Sequence, residues 1–83
     1  MNTAQDIRQL GQGFAARLDS TRLADALAHL DGEEWTLALE LLAEKLRDSG
    51  VTLTGPECDR FDEIATRIGL SDDRFRFLRN QVA

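Results

Sequence analysis

The residues from Glu33 to Asp48, EEWTLALELLAEKLRD, constrain this chain more than any other stretch. Trp35, Ala38, Leu39, Leu42 and Leu46 recur at spacings that gather side chains onto one face of an α-helix. Leu37 and Leu41 widen that face, and a helix so apolar around its circumference is stable only inside a shell of other elements. Asp31-Gly32 marks a turn before it. Behind it, Gly50 suits the left-handed position after a helix end and Val51 the accompanying apolar contact. A central helix over 33–48 is therefore predicted, and the remaining residues must supply its surroundings.

Four further helical segments are predicted to do so. Ile7, Leu10, Phe14 and Leu18 define one over about Thr3–Leu18, weakened at Gly11 and Gly13 by poor helix propensity. Ser20 is the expected N-cap of a short helix that turns Leu23, Leu27 and Leu30 inward. Thr54-Gly55-Pro56-Glu57 has the spacing of a capping box, opening a helix to Ile68 with Phe61, Ile64 and Ala65 inside. Ser71 is expected to cap a last helix carrying Asp72 and Asp73 in its first turn, docked by Phe75, Leu78 and Val82. Val51-Thr52-Leu53 alternates too briefly for a strand. The predicted fold is all-α, a compact bundle of about five short helices in one domain over residues 1–83, its core centred on helix 33–48.

At 83 residues the chain buries roughly 60–65% of its unfolded surface, so its core is small. One cysteine forms no internal disulfide and gives no sign of an oxidising compartment. The N-terminus lacks the basic-then-apolar pattern of a signal peptide, and no run approaches the ~20 apolar residues of a membrane span. A soluble, cytoplasmic protein is expected, without membrane contact.

The net charge of −5 is unevenly placed, because residues 19–63 hold twelve acids against four bases. That middle would repel nucleic acid phosphates and attract a basic protein. Arg74, Arg76 and Arg79, beside Asp72 and Asp73, read as a solvated helix face rather than a phosphate reader, so no nucleic acid partner is expected.

Enzyme chemistry lacks its parts. His29 is the only histidine, with Asp25 four residues earlier as a local acid. Cys58 lies near a helix N-terminus, where the dipole can lower a thiol pKa, but it also aligns with Phe61 and Ala65 for packing. One His and one Cys offer no metal-ligand spacing. Adjacent acid pairs such as Glu33-Glu34 and Asp62-Glu63 diverge by about 100° on a helix. No glycine pattern cradles a phosphate. Asp48-Ser49-Gly50 ends a helix, whereas a carrier-protein serine opens one. The expectation is a non-enzyme with neither cofactor nor metal.

About fifty residues carry a further pattern. The acidic glycine turn and aromatic at Asp31–Trp35 lead into Ala38-Leu39-Glu40-Leu41-Leu42. Then come Leu46, Val51, Leu53-Thr54, Asp59, Ile64 and Gly69-Leu70, and the pattern closes on Phe75, Phe77 and Leu78. This stretch resembles the MafI-type family of immunity proteins, which accompany the polymorphic toxins of bacterial competition. The resemblance implies a protein that binds the toxic C-terminal domain of a cognate effector and protects the producing cell and its kin. The acidic middle suits a partner with a basic active site. The expected contacts are Glu40, Glu44 and Asp48 on the third helix and Asp59 and Glu63 on the fourth, with Glu33, Glu34 and Trp35 at the turn. Trp35 begins the apolar stripe and is expected to pack, one edge remaining beside Glu33 and Glu34 as an interface anchor. The alternative is a small acidic helical regulator or adaptor with no toxin partner.

Overall fold

The helix ends show how far local sequence signals reach. A computed structural model describes residues 2–71 and 73–82. Among them are four α-helices: α1 (Thr3–Gln12), α2 (Ser20–Ala28), α3 (Trp35–Asp48) and α4 (Gly55–Arg67). Two 3₁₀ segments, His29–Gly32 and Arg76–Gln81, extend α2 and form the C-terminal element. The fold is all-α. Among the described residues extended pairing is confined to one parallel bridge, Leu53 to Val82, with the Leu53 N–H donating to the Gln81 carbonyl at 2.9 Å.

Two helices stop in the same way. Gly50 (φ 64°) and Gly69 (φ 87°) take the left-handed conformation that a Cβ would strain. After α3, the Val51 N–H reaches the Leu46 carbonyl at 3.1 Å and the Gly50 N–H reaches Arg47 at 3.1 Å. After α4, Leu70 bonds to Ala65 at 2.8 Å and Gly69 to Thr66 at 3.2 Å. Both are Schellman motifs, which satisfy carbonyls left over at a helix end. The capping box is also in place. The Glu57 N–H donates to Thr54 Oγ1 at 3.3 Å, and the Thr54 N–H donates to Glu57 Oε1 at 2.9 Å. Asp19, not Ser20, caps α2, its carboxylate accepting from the Arg22 N–H.

α3 lies in the middle, packed against α1, α2, α4 and the C-terminal segment. Its Ala38, Leu39, Leu42, Ala43 and Leu46 are buried. They join Ile7, Phe14, Leu53, Phe61, Ile64 and Leu78 in one apolar cluster. Gly11 permits a close approach between α1 and α2, since a Cβ there would stand 2.9 Å from Leu27 Cδ2. A glycine that weakens α1 as an isolated helix thus lets α1 meet α2. Phe14, Phe61, Phe75 and Phe77 form a ladder of tilted rings at 6.3, 5.4 and 6.5 Å, running from the core to the surface. The radius of gyration, 11.4 Å, is close to the roughly 12 Å of a well-packed chain of this length.

Several expectations need correction. α1 ends at Gln12 rather than Leu18, because its bonds tighten there to i−3 turns (Phe14 to Gly11, Ala15 to Gln12). Phe14 and Leu18 reach the core from that turn region. The last element is a 3₁₀ segment starting at Arg76, and Ser71 does not cap it: the Ser71 hydroxyl donates to Asp73 Oδ1 at 2.9 Å. The expected role of Asp72 in its first turn lies outside the described residues. α3 begins at Trp35 rather than Glu33, since Glu33 takes the left-handed conformation (φ 59°) and breaks the helix before Glu34.

The largest correction concerns Trp35 and Leu37, which are 37% and 39% exposed. Trp35 has the angular position of the buried stripe. Helical side chains, however, lean toward the helix N-terminus, and before the first residue of α3 there is no preceding turn to cover. Leu37 points away from the stripe altogether.

Candidate partner-binding surface

The eight residues expected to meet a partner divide into two groups once the arginines are placed. On α4, Asp59 and Asp62 share Arg79, whose Nη2 lies 2.8 Å and 2.7 Å from their carboxylates. Those bonds, the one to Asp59 first, push the Arg79 guanidinium pKa upward and keep it charged. Glu63 meets Arg60 at 2.7 Å and Arg67 at 3.6 Å, and both arginines also contact Asp6 of α1. Glu57 closes the set with Arg17 at 2.5 Å. The Arg17 hydrogen bond holds the Glu57 carboxyl below its ordinary range, and the same contact raises Arg17. Asp59 and Glu63 therefore belong to internal ion pairs. Their charge is partly compensated before any partner arrives, since Asp59 and Asp62 divide one guanidinium between them.

α3 is mixed. Glu40 accepts from Arg74 Nη2 at 2.5 Å and is half-buried by that contact. Asp48 pairs with its neighbour Arg47 at 3.3 Å. Glu44 is exposed and has no ion-pair partner among the described residues. The expected acidic stripe Glu40–Glu44–Asp48 thus retains one uncompensated charge. Arg74 and Arg79 stay exposed, as a solvated face would, and also tie the C-terminal segment to α3 and α4. Gln81 adds to the clasp, its side-chain amide donating to the carbonyls of Leu46 at 3.0 Å and Val51 at 2.7 Å. No local pattern announces these bonds, because the partners lie 17 to 35 residues apart in the chain.

The turn between α2 and α3 is the opposite case. Glu33 has no cation within ion-pair distance among the described residues, and the same is true of Asp25 on α2. Asp31 reaches Arg8 only at 3.6 Å and is 84% exposed. Glu34 faces His29 Nδ1 at 3.8 Å, a contact that is ionic only when the imidazole is protonated. His29 thus stands beside Glu34 rather than Asp25. Glu33 and Glu34 directly precede Trp35, so the turn presents a partly exposed aromatic side chain next to two carboxylates that have no arginine partner among the described residues.

Beside α3 the surface dips into a groove of about 260 Å³, lined by Glu40, Glu44, Arg47, Arg74, Phe75 and Phe77. The Arg47 guanidinium lies over the Phe77 ring at 5.1 Å. Sequence reasoning reached Glu40 and Glu44 but missed the aromatic wall, which comes from a segment thirty residues away.

Cys58 is buried, and loss of solvent pushes its thiol pKa up, with Arg79 opposing and the nearby carboxylates adding. It packs as a neutral side chain, whatever the helix N-terminus would do for an exposed thiol. Among the described residues no three His, Cys, Asp or Glu side chains are arranged to hold a metal ion. No described helix is long and apolar enough to cross a membrane. No family model matches the chain, and no curated protein or solved structure shows a significant similarity to it.

Proposed function

We propose that this chain is an inhibitor of the immunity type, which binds the toxic domain of a cognate bacterial effector in the cytoplasm of the producing cell. The observation that carries the reading is the exposed Trp35 beside Asp31, Glu33 and Glu34. A tryptophan at a surface loses little by being covered, and it is among the residue types that dominate binding energy. Exposed acids beside it, of which Glu33 has no cation within ion-pair distance among the described residues, speed encounter with a basic surface and discriminate against acidic ones. The resemblance over residues 31–78 supplies the class of partner. Inhibition of this kind is stoichiometric and needs no catalytic group, cofactor or metal from this chain.

Size sets a further condition. A stable protein–protein interface takes about 800 Å² from each partner, roughly a sixth of the 4645 Å² surface here. The turn alone is too small, so the bound area extends along α3.

Co-expression with the toxic domain of a candidate cognate effector provides the test. The wild type should restore growth and form a one-to-one complex whose association slows as salt rises. Trp35→Ala should stay folded and weaken the complex by at least about 2 kcal/mol, roughly thirty-fold in Kd. Absence of protection by the wild type would sink the inhibitor reading in favour of an adaptor or regulator.

A further inference from the structure

We infer that the turn leading into Trp35 is a pH-sensitive joint, closed by an ion pair between protonated His29 and Glu34 and loosened when the imidazole is neutral. The joint is a property of this chain alone. Its bearing on a partner rests on reading the Trp35 surface as the binding face.

Three helix stops among the described residues share one bond pattern and differ in what fills it. After the 3₁₀ segment His29–Gly32, the Glu34 N–H donates to the His29 carbonyl at 3.0 Å and the Glu33 N–H to Leu30 at 3.2 Å. This is the pair of bonds found after α3 and α4, so the turn is a third Schellman motif. In the other two the left-handed residue is a glycine, Gly50 or Gly69. Here it is Glu33, whose Cβ makes that conformation costly. The longer bond joins Leu46 to Val51 after α3 and Ala65 to Leu70 after α4. Those are apolar residues at the positions where a hydrophobic contact commonly seals such a motif. At the third stop the same positions hold His29 and Glu34. It therefore lacks both the glycine and the apolar seal.

A charge takes the place of the seal. His29 Nδ1 lies 3.8 Å from Glu34 Oε1, and the backbone bond between the same two residues keeps the groups close. A neutral imidazole gives this contact no ionic attraction, whereas an imidazolium does. Histidine ordinarily changes charge between pH 5 and 8, and His29 is the only one in the chain. On the elements around it stand Arg8 of α1, Asp25 of α2, and Glu33 and Glu34 leading into α3, with Asp31 in its own segment. Among the described residues only Glu34 comes within ion-pair distance of the imidazole, while Arg8 meets Asp31 at 3.6 Å.

The consequence reaches Trp35, which is the next residue and the first of α3. Protonation fastens the joint from which the indole emerges, and it balances one of the two carboxylates that precede the ring. A basic partner is therefore drawn to this surface less strongly in acid than when His29 is neutral.

The test is solvent exchange of backbone amides, measured by NMR on the intact ¹⁵N-labelled protein near pH 5.5 and pH 7.5. Each rate is compared with the intrinsic rate at that pH. Glu33 and Glu34 report the joint, and Gly50, Val51, Gly69 and Leu70 report the two glycine stops as internal controls. Protection at Glu33 and Glu34 should be about two- to fivefold greater at the lower pH, as one exposed ion pair gives, with the controls unchanged. His29→Gln and Glu34→Gln should each abolish the difference. Glu33→Gly should raise protection at both pH values and keep it. Equal protection at the two pH values in the wild type, a difference that persists in His29→Gln, or the same change at all three stops would overturn the joint. If a candidate effector's toxic domain is bound while exchange is independent of pH, the inhibitor reading survives and the joint fails. If exchange follows His29 while no toxin is bound, the joint survives and the inhibitor reading fails.

Discussion

Two regions of this molecule are acidic in sequence and opposite in structure. Along α4, Glu57, Asp59, Asp62 and Glu63 each meet an arginine from another part of the chain or from the next turn of the helix. At the α2–α3 turn and on the outer side of α3, Glu33 and Glu44 meet none among the described residues, Glu34 meets only His29, and Asp31 meets Arg8 at 3.6 Å while staying 84% exposed. The first region spends its charge holding α4 to α1 and to the C-terminal segment. The second leaves it for solvent or a partner. Density of acids is thus a poor guide to a binding surface, and the placement of arginines is a better one.

The comparison is broken most directly with aromatic truncations, one from each environment. Phe61 is fully buried between Phe14 and Phe75, so Phe61→Ala should cost about 3–5 kcal/mol, enough to unfold a large share of a domain this small. Trp35 is more than a third exposed, and Trp35→Ala should cost no more than about 2 kcal/mol. Urea titration of both variants checks this. Equal losses would return Trp35 to the core and remove the argument for an aromatic anchor.

A smaller effect is expected from the clasped region. Glu57→Ala removes both an ion pair and half of the capping box, and should cost about 1–2 kcal/mol at neutral pH. Acid should act in the same direction. The folded-state pKa of Glu57 lies below its ordinary 4.5, so its contribution is whole above that value and is lost as pH falls through the folded one. Urea midpoints at pH 6 and pH 3 should show the wild type losing more stability than Glu57→Gln. A variant with the same acid sensitivity would show that this carboxylate does not carry the linkage.

The smallest effect should come from the uncompensated acids. Glu33→Gln and Glu44→Gln break no ion pair among the described residues, and each should change stability by within about 0.5 kcal/mol. A loss above 1 kcal/mol from either would mean that it has an internal partner after all, and the contrast between the regions would narrow.

Much of the fold was legible in the residues themselves. The apolar spacing of α3, the Thr54–Glu57 box and the glycine stop at Gly50 each correspond to a feature of the fold. The candidate site was legible only in part. Glu33, Glu34 and Glu44 lie on the surface without a salt bridge to an arginine, while Glu40, Asp48, Asp59 and Glu63 were placed on a surface without regard to the arginines that reach them. Periodicity assigns a residue to a face and is silent about what the opposite chain segment brings to that face. It also treats every turn of a helix alike, which is why Trp35 was grouped with residues that have a preceding turn to cover.

What the sequence determined by itself is the set of interactions that close within a few residues: caps, Schellman stops and the apolar period, each governed by backbone geometry over one or two turns. The tertiary structure alone decided which acids have their charge balanced by an arginine. Arg74 reaches Glu40 and Arg79 reaches Asp59 and Asp62 only because Phe75 and Leu78 bury themselves in the core and draw the C-terminal segment across α3 and α4. Burial of two apolar side chains fixes where the neighbouring arginines end up, and the remaining surface charge follows from that.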